Sequence, residues 1–223
     1  PIFDLRADRH ARRAFGDALA GAGLRLDVAY PFTLSRAADM DALARSLDCA
    51  AELGARFVNL LSYDRDPQRQ LDRLGAFCDM ARPFGLTVAI EFFPRSAIAS
   101  LAGGLALVHA IARPGEVGLN VDLLHLMRSG GSIAELAAAP HEAIVYAQLC
   151  DGESECDDPD FEASSQRLLP GEGVFDVRAF VRVLPPGCPM SLEIPQDAAL
   201  RAGASRETRA RRAMESARRL FAA

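Results

Sequence analysis

The chain has 223 residues, half of them hydrophobic and a quarter charged, with a formal net charge of −5. That length suffices for a single domain, residues 1–223, with its own core. The acidic balance argues against nucleic acid or an anionic membrane as a partner, since both favour a basic face. The longest apolar runs have strand length, too short for a membrane-spanning helix. The five cysteines, Cys49, Cys78, Cys150, Cys156 and Cys188, are odd in number and show no CxxC spacing. They read as reduced thiols and, with no visible signal peptide, point to a cytoplasmic protein.

Ala7 to Ala22 reads as a helix that stops at Gly21-Ala22-Gly23. Leu24 to Tyr30 alternates and meets Pro31, so it reads as a strand. Ser35 or Asp39 is a candidate cap for a helix running to Leu53. Arg56 to Ser62 is the next strand, and a polar loop leads to a helix from Gln68 to about Arg82. Leu86 to Phe93 is an apolar strand carrying Glu91. A helix over Leu101 to Ala112 leads to a second apolar run, Val117 to His125, carrying Asp122. A short helix follows Ser132 and ends at Pro140. The strand Ile144 to Asp151 carries Gln148.

Residues 152–170 break this rhythm with Glu153, Glu155, Asp157, Asp158, Asp160 and Glu162. Long loops in compact domains tend to be functional, and this one reads either as a solvated acidic insertion or as a lid. A helix over Asp176 to Leu184 precedes the strand Met190 to Pro195, which carries Glu193. The Arg-rich helix from Ser205 to Phe221 reads as a charged outer face.

Strand and helix alternate about every 30 residues, a spacing that calls for a parallel sheet with helices outside it. The dinucleotide and phosphate-loop glycine motifs are absent. Glu91, Asp122, Gln148 and Glu193 stand near the C-terminal ends of four successive strands. Polar residues so placed converge in a (β/α)8 TIM barrel rather than in an open doubly wound sheet. Six strands are counted and the chain opens at Pro1 directly into a helix. The expectation is therefore a barrel whose N-terminal strand-helix-strand is not part of this sequence.

A carboxylate inside an apolar strand is costly unless it is paired or metal-bound. Three carboxylates and one amide oxygen suit a hard divalent cation, Mn²⁺ or Mg²⁺, with Co²⁺ or Zn²⁺ as alternatives. His125 follows Asp122 by three residues and is a candidate for touching substrate. Asp151 is placed to orient a ligand or to hold Arg167. Arg167 and Glu172 flank the returning loop, where an arginine could clamp a substrate oxygen.

These residues carry a resemblance. Ala89-Ile90-Glu91-Phe92, Asn120-Val121-Asp122-Leu123-Leu124-His125, Gln148-Leu149-Cys150-Asp151, Leu168-Leu169-Pro170-Gly171-Glu172-Gly173 and Ser191-Leu192-Glu193-Ile194-Pro195 occur in that order. Together they resemble the xylose isomerase-like TIM-barrel family, and within it the sugar phosphate isomerase/epimerase proteins. The resemblance implies that Glu91, Asp122, Gln148 and Glu193 bind the metal. It further implies that Glu91 and Glu193 are the catalytic acid–base pair and that His125 contacts substrate. The third metal position, often histidine in that family, is Gln148 here.

The implied activity is a metal-dependent isomerase or epimerase of a small sugar or sugar-like hydroxy-ketone, working through a metal-stabilised enediolate between two glutamates. The first alternative is a lyase or dehydratase of a keto-polyol or cyclic keto acid on the same scaffold. An endonuclease IV-like DNA-repair enzyme is disfavoured because only His125 stands at a strand end. A non-catalytic sugar-binding barrel is disfavoured by the joint presence of both glutamates. A small carbohydrate or keto acid is the expected partner, with a homodimer or homotetramer as the assembly common among such barrels.

Overall fold

The structure is a computed structural model that describes residues 4–222. Six strands form one parallel sheet: β1 Val28–Leu34, β2 Phe57–Ser62, β3 Thr87–Glu91, β4 Val117–Asp122, β5 Ile144–Leu149 and β6 Met190–Leu192. Their spatial order is their sequence order, β1 to β6, and every neighbouring pair is parallel. The helices are α1 Arg9–Gly21, α2 Met40–Glu52, α3 Pro67–Ala81, α4 Leu101–Ile111, α5 Leu123–Arg128, α6 Ile133–Ala137, α7 Pro159–Ser165, α8 Val177–Val183, α9 Asp197–Arg201 and α10 Arg206–Phe221. This is the architecture of a (β/α)8 barrel, present as a six-strand arc. The arc is curved, because Tyr30 of β1 and Glu193, just past β6, line one cavity although they come from opposite edges. No described helix is long and apolar enough to cross a membrane.

Strand alternation separates two environments. Val58, Leu60, Val88, Ile90, Leu119 and Val121 are fully or almost fully buried and belong to one core with Leu47, Leu74 and Phe77 of the helices. The alternate positions, Asn59, Glu91, Asn120, Asp122 and Gln148, are buried and polar. At the deeper end of that second face, the rings of Phe57 and Tyr146 meet at 5.2 Å. Most helices begin on Asp or Ser whose side chain accepts a backbone N–H, as Asp39, Asp66 and Ser100 do. Such caps satisfy donors that the first turn leaves free.

The elements differ from the sequence reading in four places. The first strand runs from Val28 through Pro31 to Leu34 instead of stopping at Tyr30. It is an edge strand, where a missing N–H is tolerated, and its register shifts between Ala29 and Phe32. Leu123 to His125 belong to α5, not to the β4 strand, because Asp122 caps that helix by accepting the His125 N–H. The acidic stretch contains α7, capped by Asp158. Finally, α9 occupies a segment that carries little apolar periodicity.

Candidate active site

The site is built where β3 and β4 end. Glu91 is the last residue of β3 and is 3% exposed. Its Oε2 accepts from the side-chain amide of Asn59, and its Oε1 lies 3.3 Å from His125 Nε2. Asp122 ends β4, where its role as a helix cap fixes Oδ1 on the His125 N–H at 3.0 Å. The same cap starts α5 so that its third residue, His125, turns back over the strand end. The His125 ring also packs on Phe93 at 5.4 Å. Burial works against the His125 imidazolium. The Asp122 charge and the Glu91 hydrogen bond outweigh it and raise the pKa.

Arg167 closes the far side. It is 2% exposed, and its Nη1 donates to Asp122 Oδ2 at 2.7 Å and lies 3.6 Å from Glu193 Oε2. Its Nε donates to the Ala163 carbonyl at 3.0 Å, and its backbone N–H donates to the Pro195 carbonyl at 2.9 Å. The loop and the strand end therefore hold the guanidinium between two acids. Burial raises the Asp122 pKa, but the Arg167 and His125 charges more than compensate and leave it lowered. Glu193 is the opposite case. Its backbone N–H still pairs with the Leu149 carbonyl at 3.1 Å, but its Oε2 is buried without a hydrogen bond. Burial, then the Asp122 and Glu91 charges, push its pKa up to about 8 against the pull of Arg167.

Glu91, His125, Arg167 and Glu193 face a cavity of about 520 Å³, and Asp122 lies buried behind them. Tyr63 and Phe93, in edge contact at 5.9 Å, form an aromatic wall with Tyr30. Burial and nearby acids push the Tyr30 pKa up to about 12, so its hydroxyl stays protonated. Most of the acidic stretch is solvated, with Glu153, Glu155, Asp157, Asp158 and Asp160 exposed, but its helix also borders the site. Asp160, Ala163 and Ser164 of α7 line the cavity. Glu162, on the same helix, is buried against Arg128 at 2.7 Å, and Asp160 pairs with Arg95 at 2.6 Å across the mouth.

Glu91, Asp122, His125, Arg167 and Glu193 are thus brought together, while three other expected residues are not. Asp151 does not line the cavity, and its carboxylate does not pair with the Arg167 guanidinium. Its oxygens accept the backbone N–H groups of Gly152 and Gly171 at 2.9 Å and of Phe175 at 3.0 Å, which pins the returning loop. Glu172 is exposed and does not line the cavity. Gln148 stands level with Asp122 in the strand register, yet its amide oxygen turns back to accept from Asn120. Sequence reasoning passed over Asn59, Asn120 and the aromatic wall. The available signal was an amide inside each of two apolar strands, Asn120 lying two residues before Asp122 and hence on its face.

A divalent cation fits this donor set. Glu91, Asp122 and His125 each offer one ligand atom, all within 4.8 Å of one another. The orphaned Glu193 Oε2 is the kind of buried acceptor that a positive charge would satisfy. Two carboxylates and an imidazole suit Mn²⁺, Co²⁺ or Zn²⁺ better than Mg²⁺, which prefers oxygen.

The comparisons agree with this architecture. An inosose isomerase of Bacillus subtilis (strain 168) is 29% identical over 117 residues, which are 51% of this chain and 41% of that protein. The match therefore takes in less than half of the relative's length. The IOLI protein solved with a zinc atom superimposes with a TM-score of 0.76 at 18% identity, covering 91% of this chain and 80% of that one. A D-allulose 3-epimerase from Methylomonas sp. superimposes with a TM-score of 0.64 at 19% identity, covering 86% and 73%. A sequence profile of the xylose isomerase-like TIM barrel matches residues 3–220. The chain belongs to the xylose isomerase-like TIM-barrel family.

Proposed function

We propose that this chain is a divalent-metal-dependent isomerase or epimerase of a small polyhydroxy ketone, with Glu91 and Glu193 exchanging the proton. The carrying observation is that a buried glutamate, Glu91, and a partly buried one, Glu193, share one cavity in unlike settings. Glu91 is gripped by Asn59 and faces His125, whereas Glu193 has an unpartnered oxygen and a pKa pushed up to about 8. A pair of carboxyls held apart in this way divides the roles of acid and base at neutral pH.

Glu91, Asp122 and His125 would hold the cation, and Glu193 would stand beside it as the proton-bearing partner. The cation supplies positive charge beside a substrate carbonyl, which acidifies the neighbouring C–H. Glu91 then accepts the proton from that carbon, and protonated Glu193 returns one to the opposite face or to the adjacent carbon. Return to the same carbon gives an epimer; return to the neighbouring carbon, with the hydroxyl proton passing to the former carbonyl oxygen, gives an isomer. Arg167 holds Asp122 and Glu193 in register throughout. Its Nη1 is shared between the two acids and its Nε is taken by the Ala163 carbonyl. Tyr63 and Phe93 present an aromatic face to the C–H side of a sugar, and α7 limits water access. The similarity to an inosose isomerase and an allulose epimerase supports this substrate class.

The test is a product analysis. The protein is loaded with Mn²⁺, incubated with D-allulose or an inosose, and the products are read by NMR with and without EDTA. A new isomer that EDTA abolishes is the expected outcome. Turnover indifferent to EDTA contradicts the reading, and a product lacking one water reassigns the same site to dehydration.

A further inference from the structure

Beneath the carboxylates lies a row of three buried amides that the proposed chemistry does not use. Asn59 on β2, Asn120 on β4 and Gln148 on β5 are 1%, 1% and 8% exposed. Asn59 Nδ2 donates to Glu91 Oε2, Asn120 Nδ2 donates to Asn59 Oδ1 at 3.0 Å, and the same Nδ2 donates to Gln148 Oε1. The row therefore crosses the barrel interior from β5 to β3.

We propose that Asn59, Asn120 and Gln148 form a positioning strut that pins one oxygen of Glu91 and leaves the other free for the cation and the substrate proton. In this arrangement Gln148 anchors the strut and is not itself a metal ligand. The inference rests on the reading of Glu91 as ligand and base.

The direction of each amide follows from the carboxylate. An ionised Glu accepts and never donates, so the Asn59 NH₂ must face Glu91 and its carbonyl must face away. That carbonyl requires a donor, which forces the Asn120 NH₂ toward it. The second hydrogen of that NH₂ is then available only for an acceptor, and Gln148 Oε1 supplies it. Glu91 thus sets the polarity of the whole row, and in return its Oε2 is fixed. Oε1 is left on the side of His125, 3.3 Å from Nε2.

Stability alone gives little reason for this row. Asn120 Oδ1 is buried without a hydrogen bond, so the network is incompletely satisfied. A half-satisfied polar row in a barrel interior is no better for folding than apolar side chains of the same shape. It does serve to orient a group that binds metal, since partners of metal ligands govern affinity about 10–100-fold. The same bonds hold the Gln148 amide oxygen on Asn120 at the level of Asp122 in the register.

The experiment compares wild type with Asn59→Leu, Asn59→Ser and Gln148→Leu, with His125→Ala as a ligand control. Three readouts are taken: Mn²⁺ affinity by electron paramagnetic resonance, melting temperature without metal, and deuterium exchange into D-allulose and an inosose. Asn59→Ser leaves room for a water and guards against misfolding of the leucine variant. Both Asn59 variants should bind Mn²⁺ about tenfold or more weakly. At Mn²⁺ saturation they should lose kcat of exchange with little change in KM. They should still melt cooperatively without metal, at temperatures lowered by about 2–12 °C, the cost of each orphaned buried group. Gln148→Leu should change Mn²⁺ affinity by less than Asn59→Leu does. Unchanged Mn²⁺ affinity and exchange in both Asn59 variants overturn the strut alone. A Gln148→Leu loss as large as that of His125→Ala makes Gln148 a ligand and also overturns it. A wild-type protein that neither binds Mn²⁺ nor exchanges a proton overturns the reading of the site, and the strut with it.

Discussion

Replacing Glu193 by glutamine should make the metal-free protein more stable at alkaline pH while removing a group that the reaction needs. The carboxyl ordinarily titrates near 4.5 and is pushed up to about 8 in the fold, first by burial and then by Asp122 and Glu91. Below the unfolded value both states hold the proton, and the full stability is present. As pH rises, the unfolded chain releases the proton while the folded chain keeps it, so stability falls until pH passes the folded value. A shift of this size corresponds to an upper bound of about 5 kcal/mol. The side chain is 23% exposed and Arg167 stands 3.6 Å away, so screening and pairing reduce the cost of the anion. The expected difference between Glu193→Gln and wild type is near zero at pH 5 and about 1–3 kcal/mol in favour of the variant at pH 9. Urea melts at pH 5, 7 and 9 in EDTA measure it, and subtracting the two proteins cancels other titrations such as that of His125. A difference that does not grow with pH, or that favours wild type at pH 9, would refute the account of Glu193.

Other variants probe the frame. Arg167→Leu leaves Asp122, 0% exposed, without its ion-pair partner and should cost about 3–5 kcal/mol, lowering the melting temperature by about 6–20 °C. A loss under about 1 kcal/mol by calorimetry would mean that the pair does not hold the site. Asp151→Ala strips three backbone N–H groups of their acceptor and should cost about 3 kcal/mol or more in urea melts, at about 1–3 per group. Stability close to wild type would show that the returning loop is held by other contacts. Gly173 packs directly on the Gly152 carbonyl and the Asp151 carboxylate, leaving no room for a Cβ. Gly173→Ala should therefore destabilise by about 1–3 kcal/mol, and an unchanged melting temperature would mean that the loop yields freely.

What was legible in the sequence follows from the range of the forces involved. Parallel strands covered on both faces are short apolar runs, so β2 to β5 and their acids could be read directly. The Asp39 cap acts within one turn and was legible, as one of two candidates, for the same reason. Asp122 was read as a strand residue because Leu123-Leu124 extends the apolar run. Only the i to i+3 relation of Asp122 to His125 signals the cap that brings the imidazole onto Glu91. Asp151, Glu172 and Gln148 make contacts that the sequence did not foretell, for a different reason. Their roles depend on where a loop returns and which way a side chain turns, and both are set by partners distant in sequence: Gly171 and Phe175 for Asp151, and Asn120 for Gln148. The helix α7 was hidden by its charge, since Glu162 is buried only because Arg128 meets it from α5.

The central claim is that Glu91 takes a proton from a carbon beside a carbonyl. Its most direct measurement is solvent-deuterium incorporation by Mn²⁺-saturated protein, wild type against Glu91→Gln, with D-allulose and an inosose in D₂O followed by NMR. The account predicts deuterium at the carbon next to the carbonyl in the wild-type reaction. It predicts at least a ~10²-fold slower exchange in Glu91→Gln, the size expected for loss of a positioned base. Product formed without solvent deuterium, or exchange at the wild-type rate in Glu91→Gln, would contradict it.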